Sequence, residues 1–367
     1  MNVELFTSEK IQKMGPVFNH FSFDNHEQIV FCNDEDTGLK AIIGIHNTVL
    51  GPALGGTRMW NYQSEWEALY DVLRLSRGMT FKSALAGLDL GGGKAVIIGD
   101  AKKQKNDALM KRFAEFVHSL SGKYITAEDI GMETRDMDIM KEVTPYVSGI
   151  SESLGGSGNP SPVTAYGVFM GIKASCKYVY GSDEIHGKKI WVQGVGNVGE
   201  TLVKHLTEAG AHVIITDIYK EKLKEISNKY GATIYDGLDV FSQSVDIYAP
   251  CALGATINDQ TINKLKAKII AGGANNQLED ENKHGKLLKE KGIVYAPDFL
   301  INAGGIINVN AEVAGYDLKE SMKRTENIYN TTLEIFNLSD KEGITTHEAA
   351  LNIALRRIEK RKKDLVS

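Results

Sequence analysis

The chain has 367 residues, 42% apolar and 24% charged, with a formal net charge of −5. That length supports two domains with cores, and the composition is ordinary for a soluble globular protein. Acids and bases are mixed, so no basic stripe suits nucleic acid, and no polybasic cluster or long apolar run suits a membrane. Cys32, Cys176 and Cys251 are too scattered for a disulfide framework, which fits a reducing cytoplasm. The N-terminal stretch Met1 to Lys10 lacks the basic-then-apolar order of a signal peptide.

Leu39 to His46 reads as a strand. Ser64 followed by Glu67 reads as a capping box, with Trp66, Leu69, Tyr70 and Leu73 at helical spacing behind it. Asn106 opens a second helix with Leu109, Phe113, Phe116, Val117 and Leu120 on one face, and Gly122 stands where a helix end favours glycine. Gly149 and the run Gly155-Gly156-Ser157-Gly158-Asn159-Pro160 form a glycine-rich crossing that marks a domain boundary. Ser161-Pro162 reads as cap and first-turn proline of a helix that Gly181 stops. From Lys188 onward, strands at 190–192, 213–215, 247–249, 268–273 and 293–296 alternate with helices, which indicates a parallel, doubly wound sheet. After Gly304-Gly305 the pattern is helical, through Lys319–Leu338 and Thr346–Lys360.

The most legible motif is Gly194-Val195-Gly196-Asn197-Val198-Gly199, after one strand and before a helix. The first glycine permits a tight turn, the second lets a pyrophosphate approach, and the third packs helix on strand. The helix N-terminus supplies donors for the phosphates. Asp217 ends the next predicted strand, where an acid accepts from ribose hydroxyls and repels a 2′-phosphate; NAD is therefore the expected cofactor.

Two lysines stand among small residues, in Arg77-Gly78-Met79-Thr80-Phe81-Lys82 and Leu90-Gly91-Gly92-Gly93-Lys94-Ala95. The second run is no phosphate loop, since Leu88 and Ala95 occupy positions that need glycine and a hydroxyl. Lysines amid glycines suggest a floor for a small anion, and two neighbouring ammonium groups disfavour each other's protons, making one a candidate general base. Nine histidines show no metal-ligand spacing with one another or with the cysteines, so no metal is expected.

These runs, with Gly51-Pro52-Ala53-Leu54-Gly55-Gly56-Thr57-Arg58-Met59-Trp60, Thr126-Ala127-Glu128-Asp129-Ile130-Gly131, Gly158 to Thr164 and Ala303 to Val309, resemble the glutamate, leucine, phenylalanine and valine dehydrogenase family, its leucine branch most of all. The resemblance runs from about residue 25 to the C-terminus. It implies two α/β domains with a cleft between them. One is a substrate and oligomerisation domain, 1–147 plus the last helix at about 340–367; the other is a Rossmann-type NAD domain, 148–339. It implies NAD-dependent oxidative deamination of an L-amino acid to a 2-oxo acid and ammonia, by a cytoplasmic homo-oligomer, an octamer in the leucine branch.

By motif position, Lys94 is the catalytic lysine, Asp129 exchanges protons with the amino nitrogen, and Lys82 binds the α-carboxylate. Thr164 and Asn276 lie near nicotinamide and substrate, and Ala249, Cys251 and Ala252 line the cofactor side. Ala101 replaces a usual proline, and Gly199 stands where relatives often have alanine. Glutamate-specific relatives carry lysine at the position of Leu54, beside Gly55. An apolar leucine leaves a side-chain carboxylate unpaired in a dry pocket. Met79, Ala127, Ile306 and Val309 complete an aliphatic wall by family position. Leucine, isoleucine and valine are the expected substrates, with mixed use because one methylene discriminates by only about 1–3 kcal/mol. The alternatives are phenylalanine or valine dehydrogenase, or a non-catalytic NAD sensor.

Overall fold

The structure, a computed structural model, describes residues 17–19, 22–237, 239–313 and 317–366. The chain forms two compact units: the first takes 2–159, 309–317 and 354–367, and the second takes 160–308 and 318–353. Among the described residues, no helix is long and apolar enough to cross a membrane.

The first unit is a five-stranded sheet of β1 (Gln28–Asp34), β2 (Leu39–Asn47), β3 (Ala53–Trp60), β4 (Gly91–Ile98) and β5 (Tyr124–Glu128), ordered β1-β2-β4-β3-β5. β3 runs parallel to β4 and β5, while β2 runs antiparallel to β1 and β4. The helices are α1 (Glu65–Leu85), α2 (Ala101–Gln104), α3 (Asp107–Ser119) and α4 (Thr134–Lys141). Alternation along the strands separates two faces. Ile43, Ile45, Ala95 and Ile97 pack with Leu109, Phe113, Val117, Met137 and Met140 of α3 and α4. Ile42 and Val96 pack on the other face with Leu69, Val72 and Leu73 of α1.

Helix α1 runs well beyond its amphipathic start, so Lys82 lies on its last turn. Its cap differs from the expected box. Ser64 Oγ accepts from Glu67 N, but the Glu67 carboxylate accepts from Gln63 N rather than closing on Ser64.

The glycine run before Lys94 is strand, not an anion floor. A Cβ on Gly92 would stand 2.1 Å from Thr80 N, so glycine there lets α1 lie directly on β4. A Cβ on Gly93, which faces the opposite way, would stand 2.7 Å from the Tyr124 ring.

The division between units falls at Asn159/Pro160 instead of 147/148. Glu312 is the reason: its carboxylate accepts from Gly149 N at 2.8 Å and from Ser157 N at 2.6 Å, and also from Ser157 Oγ, so the glycine-rich crossing belongs to the first unit. The returning C-terminal piece is Ala354–Ser367, shorter than the expected 340–367. Arg357 anchors it by donating to Ala84 O at 2.9 Å and to Asp89 Oδ1 at 3.1 Å.

The second unit contains α5 (Ser161–Tyr180), β6 (Lys189–Gln193), α6 (Asn197–Glu208), β7 (His212–Thr216), α7 (Lys220–Tyr230), β8 (Thr233–Ile234), β9 (Ile247–Pro250), β10 (Ile269–Ile270), α8 (Glu281–Glu290), β11 (Val294–Tyr295) and α9 (Asp298–Ile301). Helix α10 (Gly304–Val313) passes into the first unit; α11 (Leu318–Glu326) and α12 (Ile328–Glu342) belong to the second, and α13 (Thr346–Val366) again passes into the first. The sheet is parallel and doubly wound, ordered β11-β10-β9-β6-β7-β8, with its topological switch between β6 and β9.

Helix α5 begins at Ser161, with Pro160 in the cap position and Pro162 inside the first turn. The expected strand at 268–273 contracts to Ile269–Ile270: its neighbour β9 ends at Pro250, which has no N–H to extend a ladder. The expected helix at Lys319–Leu338 is two helices broken at Asn327.

Candidate active site

Strand order brings together residues far apart in sequence. Lys94 lies in the middle of β4, Arg58 near the end of β3, and Asp129 directly after β5. The pairing of Gly56 with Ala127 places Asp129 beside β3, and a Cβ on Gly56 would stand 2.9 Å from Asp129 Cβ. Glycine at 56 thus lets the aspartate fold over the strand. Lys94 Nζ is 2.7 Å from Asp129 Oδ2, and Arg58 Nε donates to the same oxygen at 3.0 Å. Among the described residues, Oδ1 receives no protein donor, and the Asp129 side chain is 23% exposed against 7% for Lys94.

Arg58 is itself held. Its Nη1 donates to Asp71 Oδ2 at 2.8 Å, and that carboxylate also accepts from Tyr62 Oη at 2.7 Å and Arg74 Nη2 at 3.2 Å. Burial alone would raise the Asp129 carboxyl; the Lys94 ammonium and the Arg58 guanidinium overcome it and hold it at about 2. Lys94 is shifted below the ordinary lysine value, first by burial and then by Arg58, with Asp129 opposing both. Arg58 is therefore a cation that lowers Lys94, where the sequence pointed only to Lys82.

The proposed substrate wall has a local cause in the first unit. Leu54 is buried on β3, and Met79 Cγ lies 3.3 Å from where a Gly55 Cβ would stand. Gly55 is obligatory for another reason: its Cβ would fall 1.7 Å from Gly93 O. Ala127 is buried on β5, while Met79 and the half-buried Lys82 share the last turns of α1. Ile306 and Val309 are buried one turn apart on α10.

In the second unit the three glycines of the turn have three distinct reasons. Gly194 has φ +94°, and its Cβ would meet Ala252 at 2.7 Å. Gly199 packs α6 onto the turn, since its Cβ would stand 2.0 Å from Gly194 O. Gly196 has open space where a Cβ would be, and it begins α6 without a side-chain cap, followed by Asn197 and Val198. Open backbone at an uncapped helix start fits a pyrophosphate.

Asp217 directly follows β7; its carboxylate accepts from Val195 N at 2.8 Å and Tyr219 N at 3.0 Å, which fixes it against the turn. Ala249 ends its buried run at Pro250, and Cys251 N donates to Gln193 O. Cys251 Sγ accepts from Gly273 N, and burial pushes the thiol up to about 12, so it is a packed residue rather than a nucleophile. Asn276 adopts φ 51°, with its carbonyl accepting from Ala255 N. Thr164 Oγ1 donates to Pro160 O and lies 3.0 Å from where a Gly305 Cβ would stand.

Arg58, Asp71 and Tyr62 were not singled out from sequence. Arg58 lay inside a quoted run, and period-two alternation from Leu54 through Gly56 places it on the Lys94 face. Reading 53–60 as a strand would have found it. Asp71 and Tyr62 carry no such signal.

Residues 26–146 match the family model described as Glu/Leu/Phe/Val dehydrogenase, dimerisation domain. Residues 155–218 and 215–364 match that described as Glutamate/Leucine/Phenylalanine/Valine dehydrogenase. The leucine dehydrogenase of Bacillus subtilis is 54% identical over 347 residues, covering 95% of each chain. The phenylalanine dehydrogenase of Lysinibacillus sphaericus is 48% identical, covering 93% of this chain and 91% of that one. The crystal structure of L-tryptophan dehydrogenase from Nostoc punctiforme superposes with a TM-score of 0.82 at 43% identity, over 96% of this chain and 99% of that one.

Proposed function

From the premise that the chain belongs to the glutamate, leucine, phenylalanine and valine dehydrogenase family and is an amino-acid dehydrogenase, we propose that it catalyses the reversible, NAD-dependent oxidative deamination of L-leucine, with L-valine and L-isoleucine as further substrates. The observation that carries the mechanism is the buried Lys94–Asp129 pair at 2.7 Å. NAD, when bound, accepts a hydride from the substrate α-carbon.

The protein's own groups manage the protons. Lys82 holds the α-carboxylate. The amino group must be neutral before the C–H bond breaks, and Asp129 Oδ1 accepts its proton. Because the carboxyl is held at about 2, the proton does not rest there; it passes to solvent, and Lys94 is left neutral for its own step. Loss of hydride leaves an iminium ion. Neutral Lys94 then takes a proton from water as the oxygen attacks the α-carbon, and the carbinolamine collapses to 2-oxo acid and ammonia. Burial favours the neutral lysine this step needs.

Aliphatic substrates are supported by Leu54, Met79, Ala127, Ile306 and Val309, and NAD over NADP by Asp217. Thr164, Asn276, Ala249, Cys251 and Ala252 are assigned to the nicotinamide side. Assembly into a homo-oligomer is supported by the dimerisation-domain match and by β1, an edge strand with Phe31 exposed; an octamer rests on the resemblance to the leucine branch alone, and light scattering tests it.

The primary experiment follows NADH formation with L-leucine, L-valine, L-isoleucine and L-phenylalanine. The proposal expects the highest kcat/KM among the branched-chain substrates. A clear preference for phenylalanine would refute the pocket argument, and no turnover with any apolar amino acid would leave a cofactor-binding sensor. Lys94→Ala is expected to retain NAD binding and lose nearly all turnover.

A further inference from the structure

Asp129 is asymmetric: both cations that touch it, Lys94 and Arg58, contact Oδ2, and Oδ1 receives no donor among the described residues. Lys94 alone cannot fix that orientation, because an ammonium is a point charge on a flexible stem and tolerates either oxygen. Arg58 can. Its planar head is held on a second side by Asp71, which Tyr62 and Arg74 hold in turn, so Nε is aimed at one place.

We infer that Arg58 is a positioning residue for the reaction: anchored on Asp71, it pins Oδ2 of Asp129 and so presents Oδ1 as the acceptor for the substrate amine. The inference rests on the reading of Lys94 and Asp129 as the proton-transfer pair.

The same contact gives Arg58 a second effect. Its charge shares an oxygen with Lys94, so the two cations are separated by at most the sum of the 2.7 and 3.0 Å contacts. The charged or titratable groups that act on Lys94 or on Asp129 are Arg58 on β3, Tyr62 after it, Asp71 on α1 and Tyr124 on β5; Arg74 stands behind Asp71, and Lys82 lies on the last turn of α1. Glu128 is turned aside to accept from Thr134 Oγ1. Replacing Arg58 by a neutral group removes a cation opposing the lysine's proton.

The test compares Arg58→Gln and Arg58→Lys with wild type in kcat, KM for amino acid and for NAD, and the pH profile of kcat/KM. For Arg58→Gln, kcat is expected to fall about 100-fold, as for a misplaced reacting group. KM for NAD is unchanged, and the acid limb moves upward by about one to two pH units. Arg58→Lys is expected to keep the limb within about half a unit of wild type while recovering only part of kcat, because charge returns without the two-sided geometry. A limb that stays in place in Arg58→Gln while the active-site titre falls would overturn the inference, since a purely structural loss removes active enzyme without moving a pKa. If Arg58→Gln does not fold, full kcat in Arg58→Lys would overturn it equally. Wild-type enzyme inactive on every apolar amino acid is a different failure: it removes the proposed reaction itself.

Discussion

Asp129→Asn separates the electrostatic role of the aspartate from its shape. The amide is nearly isosteric and still accepts from Arg58, but the buried Lys94 ammonium loses the carboxylate that faces it at 2.7 Å. Lys94 and Arg58 both contact one oxygen, at 2.7 and 3.0 Å, so they lie less than about 6 Å apart. At an effective dielectric of about 20, two unit charges at that distance repel by roughly 3 kcal/mol. Lys94 relieves this by giving up its proton, which drives its folded-state pKa further below the unfolded value of about 10.4. The folded variant then binds fewer protons than the unfolded chain, so its stability falls as pH falls, until the pH drops below the depressed folded pKa. One proton corresponds to about 1.4 kcal/mol per pH unit, hence a loss of ~2.7 kcal/mol between about pH 9 and about pH 7 where the folded pKa lies below that range. In wild type Asp129 offsets part of the depression, so the corresponding loss covers a narrower pH window. The assay is the urea midpoint of variant and wild type at both pH values, at one protein concentration because assembly couples to stability. A stability gap equal at both pH values, or smaller near neutrality, would refute the assignment of a buried, mutually repelling pair of cations.

Gly92→Ala is expected to destabilise by about 1–3 kcal/mol through overpacking, because its Cβ would meet the Thr80 backbone at 2.1 Å; thermal denaturation checks it, and a neutral result would mean that α1 does not lie on β4 as described. Leu54→Lys places an ammonium in the aliphatic wall, and is expected to lower kcat/KM for leucine by at least about 100-fold while NAD affinity, measured by fluorescence titration, stays unchanged. Arg357→Ala removes the donors on Ala84 O and Asp89, at the end of the helix that carries Lys82. KM for the amino acid is expected to rise several-fold with KM for NAD unaltered; equal effects on both would place the defect elsewhere.

The second unit was legible because its information is local. A turn, a helix start and an acid after the next strand all fall within 194–217; Gly194 and Gly199 have the steric reasons that the motif states, and Gly196 keeps open the space it assigns to a phosphate. The boundaries were less legible because they depend on distant partners: nothing near Gly149 or Ser157 announces that Glu312 holds both. The first unit illustrates the same limit more sharply. Its lysine was conspicuous amid glycines, yet the glycines at 91, 92 and 93 answer to Asn47, Thr80 and Tyr124 rather than to a ligand. The glycine-lysine run therefore records two separate demands. Close packing of α1, the end of β2 and the Tyr124 ring of β5 against β4 fixes the glycines, and only the residue that follows them is left for chemistry.

The partners of that lysine follow from strand order. β3 lies between β4 and β5, so residues 58, 94 and 129 become neighbours although a long helix and two crossovers separate them in sequence. Periodicity can state which face Arg58 occupies once β3 is known to be a strand; it cannot state that β5 is the adjacent strand. The resemblance supplied Lys94 and Asp129 without that knowledge, because motif position bypasses topology. It supplied nothing for Arg58, whose significance lies in sharing one carboxylate oxygen with Lys94. That sharing is a three-body arrangement, and no single run of sequence contains all three members.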